Sequence, residues 1–178
     1  KNGKFTDIIN FMSRLNGEVI NKRQLEKLIQ AGCFDNIEKN RAKLFSNVPN
    51  FVEIFSKIRD SNQNQSMLFE ETKILFNDSN LFDQNISEWN SGYLLKNELE
   101  VIGFYFSNHP VSLYPKNYFV SNNIIDLDTI VSNDVKNAKI VGAILDIKER
   151  SNKDGKKYAF LTVSTLDNQI ELSIFSDK

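Results

Sequence analysis

Cysteine is nearly missing from this sequence. Its 178 residues include one, Cys33, so no internal disulfide can form, and a reducing, cytoplasmic setting is the expectation. No apolar run approaches the ~18 residues of a membrane-spanning helix, and no secretory leader is visible, so no membrane role is expected. A strong excess of either charge is also lacking, since the formal net charge is −1. That small number hides an asymmetry: residues 1–60 carry +4, residues 61–135 carry −7 and residues 136–178 carry +2. The two mildly basic ends could face a polyanion. Histidine and tryptophan each occur once, as His109 and Trp89. His109 has no Ser, Cys or carboxylate at a readable spacing and reads as a capping or packing residue, while Trp89 reads as a core or loop anchor.

What is present is enough for a core. Hydrophobic residues make up 40% of the chain, fourteen of them Phe, which suits one domain or two small ones. In residues 1–60, Phe5, Ile8, Ile9, Met12 and Leu15 recur at helical spacing. Asn21 reads as an N-cap with Gln24 as its capping-box partner, and Gly32 is placed to end that second helix at positive φ. A third helix is expected after an Asn40 cap, with a kink or restart at Pro49. Lys22, Arg23, Lys27, Lys39, Arg41 and Lys43 stud this block around Gly32. They read either as phosphate contacts beside helix N-termini or as a solvated surface.

Residues 61–92 read as a polar tether. Inside it lies Gln65-Ser66-Met67-Leu68-Phe69, a Gln amide for orientation followed by two apolar anchors. Taken alone, this stretch is either a loop pinned to its own domain or a linear motif for another protein. Residues 93–135 read as a small helical adaptor, with a helix from about Leu94 to Phe106 carrying Leu95, Leu99, Ile102 and Phe106 on one stripe. Gly103 inside it would allow a close backbone approach, and Pro110 would stop it. Asp126 and Asp128, two apart, invite a metal-site reading, but read better as an exposed turn before a short helix. No catalytic residue and no metal ligand are assigned.

From residue 136 the hydrophobic period becomes two. Strands are expected from Lys139 to Arg150, with Val141, Ala143, Leu145 and Ile147 on one side, then from Tyr158 to Leu166 and from Gln169 to Phe175. Asn152-Lys153-Asp154-Gly155 is the first hairpin turn. The fold class is therefore α+β: a small helical bundle, a linker and adaptor, then a partial three-stranded antiparallel sheet. Such a sheet, with Arg150, Lys153, Lys156, Lys157, Tyr158 and Phe160 near one hairpin, suits an OB-type single-strand site built from stacking aromatics in a basic groove. The other reading is a plain meander with a solvated turn.

Three stretches, in order, resemble the alpha subunit of bacterial DNA polymerase III. They are Asn21 through Asp35 followed by Asn40-Arg41-Ala42, then Glu98 through Pro110, then Gly142, Arg150, Gly155-Lys156, Phe160 and Asp167. The resemblance implies a helix-hairpin-helix fingers region in residues 1–60, with its more degenerate hairpin around Gly32. It also implies the internal sliding-clamp motif at Gln65–Phe69 and the opening of an OB domain at residue 136. A clamp motif of this kind loses conformational entropy on ordering and so binds weakly alone. Tethering to a polymerase on the same DNA then raises its effective concentration. The implied partners are duplex DNA, single-stranded template, the clamp and other holoenzyme subunits. No cofactor is expected here, and the Mg2+ of the parent enzyme would belong to a palm upstream of residue 1. Residue 1 is not Met and the chain stops just past a strand, so a piece of a larger protein is expected. The alternative is an RNA- or tRNA-binding protein, because the tail also resembles the anticodon-binding OB domain of class II aminoacyl-tRNA synthetases.

Overall fold

The computed structural model describes residues 3–15, 20–62 and 85–175. The chain divides into two compact units, Lys1–Tyr105 and Phe106–Lys178. Helices α1 (Ile8–Ser13), α2 (Lys22–Gln30), α3 (Arg41–Ser46), α4 (Val48–Asn62) and α5 (Ser91–Ile102) build the first. The second holds a 3-10 turn (Pro110–Leu113), α6 (Lys116–Ser121), α7 (Leu127–Ser132) and strands β1 (Ala143–Ser151), β2 (Lys157–Ser164) and β3 (Gln169–Phe175). The architecture is α+β.

Local chemistry accounts for most helix ends. Asn21 and Gln24 form a reciprocal capping box, with bonds of 2.9 and 3.0 Å that satisfy two otherwise orphaned donors. At the other end of α2, Gly32 has φ +79°, and the Gly32 and Cys33 amides donate to Ile29 and Leu28. This paired bonding reverses the chain and buries Phe34 against Phe11, with ring centroids 5.0 Å apart. Asn40 caps α3 through the Lys43 amide at 2.8 Å. Pro49 then falls in the first turn of α4, where its missing N–H costs nothing, so the helix restarts rather than kinks. Ile8, Met12, Leu25, Ile29, Phe34, Leu44, Val48, Phe51 and Phe55 fill one core among α1–α4.

Helix α5 departs from expectation. It begins at an Asn90 cap and ends at Ile102, short of the expected Phe106. Gly103 is not an internal glycine making room for a neighbour. Its φ is +88°, no atom of the described residues beyond its immediate chain neighbours lies within 4 Å of where a Cβ would sit, and its amide closes the helix onto Leu99. The segment expected as one adaptor, 93–135, is split between the two units. Helix α5 packs on α2, while Pro110 opens the 3-10 turn instead of merely stopping a helix.

In the second unit, Asp126 caps α7 by accepting from the Thr129 amide and hydroxyl, both at 2.8 Å. These bonds hold its carboxyl below the ordinary aspartate range. His109 caps the 3-10 turn, its Nδ1 accepting from the Val111 amide at 3.2 Å. That leaves Nε2 as the protonated nitrogen, 3.1 Å from Ser164 Oγ. A ring nitrogen that donates to a serine cannot serve as its base, so His109 is a packing and capping residue.

The sheet order is β1-β2-β3, antiparallel throughout. The register slips between Ile144 and Asp146, leaving Leu145 without a Cα partner. This bulge corrects the simple period-two reading of β1. Ala143 pairs with Ser164 but Ile147 with Leu161, so the two lie on opposite faces rather than on the one side expected.

Candidate nucleic-acid interface

Two groups of basic residues were expected to meet DNA, and their surroundings differ sharply. In the helical block, Arg41 is not on the surface. It is only 3% exposed, and all three guanidinium nitrogens are engaged. Nε and Nη2 fork onto the Asp35 carboxylate at 2.8 and 2.6 Å, while Nη1 reaches Glu98 at 2.8 Å and the Gln30 carbonyl at 3.3 Å. The hydrogen bonds to Asp35, and secondarily those to Glu98, raise its pKa against the opposing effect of burial. Glu98 is fully buried. With four of its five N–H donors taken and the side chain buried, this guanidinium does not present itself to a phosphate. Arg41 therefore fastens α5 to the α2–α3 hairpin, which corrects its assignment as a DNA contact.

Gly32 belongs to the same cluster. A Cβ there would lie 2.3 Å from Arg41 Nη2 and 2.9 Å from Asp35 Oδ2, so glycine is needed both for its φ and for the guanidinium above it. The backbone donors at the start of α3 are also taken. Glu88 accepts from the Arg41 amide at 2.5 Å and the Ala42 amide at 3.1 Å, placing a carboxylate where a helix start would meet an anion. The Asn40 side chain holds the Ile86 carbonyl at 2.6 Å, so residues 86–88 dock along this hairpin. Trp89 continues that anchor, edge-on to Phe45 and Tyr93 at 5.3 and 5.1 Å.

The lysines divide. Lys43 pairs with Glu38 at 2.8 Å, and that bond, with the Asn40 amide, holds the Glu38 carboxyl below its ordinary range. Lys22, Arg23, Lys27 and Lys39 are exposed, with Lys22 in a loose pair with Glu26 at 3.8 Å. Gln65, Ser66, Met67, Leu68 and Phe69 lie outside the described residues.

The sheet gathers what the helical block disperses. Antiparallel partners share a face, so the register sorts side chains into rows. Arg150, Tyr158 and Phe175 form one row, and Lys148, Phe160 and Ser173 the next on the same face. The Tyr158 ring is 5.6 Å from Phe160, edge to face, and 6.2 Å from Phe175, stacked. Arg150 and Lys148 are exposed, and Phe175 is 56% exposed. Lys157 pairs with Ser151 and points to the other face, away from Tyr158 and Phe160. Lys153 and Lys156 sit in the turn, where the Asn152 side chain accepts from the Asp154 and Lys156 amides at 3.0 and 2.8 Å. Gly155, at φ +77°, completes that turn. Sequence reasoning missed Lys148 and Phe175. Counting twos outward from Tyr158 across the paired strands would have found both.

A helix-hairpin-helix motif model matches residues 1–44. The chain is 30% identical over 182 residues to a DNA polymerase III subunit alpha from Borreliella burgdorferi, an alignment covering 99% of this chain and 16% of that protein. It is 32% identical over 174 residues to the subunit from Neisseria meningitidis serogroup B, covering 97% and 14%. For the subunit from Rickettsia conorii the identity is 29% over 179 residues, covering 99% and 15%. The chain thus spans only about 15% of the length of these relatives. The matches give no support to the tRNA-binding alternative. On alignments that run through both units, the chain belongs to the DNA polymerase III alpha-subunit family.

Proposed function

We propose that this chain is a substrate-holding, non-catalytic segment of a replicative DNA polymerase, and that its sheet takes a DNA single strand. The observation that carries this reading is the shared face of Arg150, Tyr158 and Phe160, completed by Lys148 and Phe175. Aromatic faces accept any base by stacking, and flanking cations neutralise the backbone. The exposed Lys22, Arg23, Lys27 and Lys39 supply a weaker, sequence-independent attraction to duplex phosphates.

Gln65–Phe69 is proposed as the sliding-clamp motif, and other polymerase holoenzyme subunits as further partners, in the cytoplasm. The whole protein would perform DNA-templated DNA synthesis as a nucleotidyltransferase using Mg2+, with no cofactor held by these residues.

Fluorescence anisotropy with labelled oligo-dT tests the single-strand reading. Tyr158→Ala/Phe160→Ala removes two stacking surfaces, each worth about 1–3 kcal/mol, and should weaken binding at least tenfold with the far-UV spectrum unchanged. Equal binding by a folded variant would overturn it.

A further inference from the structure

The basic and aromatic character of the sheet face stops abruptly along the strands. Two rows are favourable to a nucleic acid: Arg150–Tyr158–Phe175 and Lys148–Phe160–Ser173. The third row on the same face is Asp146–Thr162–Glu171, with an exposed carboxylate on each outer strand. Asp146 also reaches back to Lys148 Nζ at 3.4 Å, which offsets the charge of the second row and leaves Arg150 as the dominant cation. One row further, Ser164 is covered by His109, 3.1 Å away. An extended strand laid along the face from the hairpin therefore meets stacking rings, then carboxylates, then a wall.

We propose that this face is a two-base platform: one base over the Tyr158–Phe175 pair, the next over Phe160, with Asp146 and Glu171 setting the end of the site. This rests on the single-strand reading above and adds to it the length of strand held. Successive rows are two residues apart, about 6.7 Å along a strand, which is within the reach of one nucleotide of an extended chain. The carboxylates act by repulsion, which confines the strand to the hairpin end without adding any contact. Such a site suits a polymerase segment that must grip a moving template and let it slide.

The test is an oligo-dT length series, dT1 to dT8, by competition against a labelled dT8 at fixed moderate salt, on the full chain. After correction for the number of overlapping positions, the affinity of the natural chain should climb roughly tenfold from dT1 to dT2 and then level off by about dT3. In Asp146→Asn/Glu171→Gln, which keeps side-chain shape and the acceptor for the Ile147 amide, it should go on rising through dT4 and dT5, with a steeper salt dependence. A natural chain whose corrected affinity climbs steadily to dT6 overturns the two-base platform, as does an unaltered length profile in the double variant. No binding at any length overturns the single-strand reading itself.

Discussion

Arg41→Ala would strip the guanidinium from a cluster in which two carboxylates depend on it. Asp35 can rehydrate, because its side chain is 40% exposed. Glu98 cannot, because it is fully buried on α5. Removing one partner of a buried pair typically costs about 3–5 kcal/mol, since the other charge is left uncompensated. With Asp35 contributing little, the lower end, about 3 kcal/mol, is expected. Urea unfolding followed by Trp89 fluorescence reports this unit directly, as Trp89 is the sole Trp and packs on Phe45 and Tyr93. At a slope of about 2 kcal/mol per molar urea, the midpoint should fall by about 1.5 M. Arg41→Met/Glu98→Leu removes both charges and should recover most of the loss. A midpoint shift below about 0.3 M for Arg41→Ala, or a double variant less stable than the single one, would refute the buried-clasp reasoning.

Further outcomes follow from single positions. Gly32→Ala combines a positive φ with a Cβ 2.3 Å from Arg41 Nη2, so a loss above about 1 kcal/mol is expected in the same urea assay. Gly142→Ala would set a Cβ 2.4 Å from Val163 Cγ1 and 2.7 Å from the Ser164 carbonyl, and should lower the thermal midpoint of the sheet unit, read by near-UV circular dichroism, by several degrees. Burial pushes the His109 pKa below its ordinary value, so folding disfavours its protonation. Its stabilising contribution is present above about pH 6.5 and is lost as pH falls through the depressed folded value, a slope that His109→Asn should flatten in thermal melts. Gln65→Ala/Leu68→Ala/Phe69→Ala should abolish binding to the cognate sliding clamp in a pull-down or surface-plasmon assay, and retained binding would move the contact elsewhere.

Several features were legible in the sequence because their chemistry is local. The Asn21–Gln24 box, the Gly32 reversal, the Asn40 cap and the Asn152–Gly155 turn each depend on groups a few residues apart, so the order of residue types suffices. The change of period at residue 136 announced the sheet for the same reason. Family resemblance located the three stretches that the alignments to polymerase alpha subunits span.

Tertiary structure decided what those residues do. Arg41 looked like one more surface cation, because nothing near it in sequence says that Glu98, fifty-seven residues away, will reach its Nη1. The start of α3 looked open to phosphate until residues 86–88 folded back and brought the Glu88 carboxylate to it. A single unpaired Leu145 moved Ile147 across the sheet, and cross-strand pairing alone brought Phe175 and Lys148 to Tyr158 and Phe160. Capping and turn formation are set within one helical turn or one hairpin loop. Burial of a charge, occupancy of a helix start and the composition of a sheet face depend on which distant segments arrive, and only the packed chain fixes that.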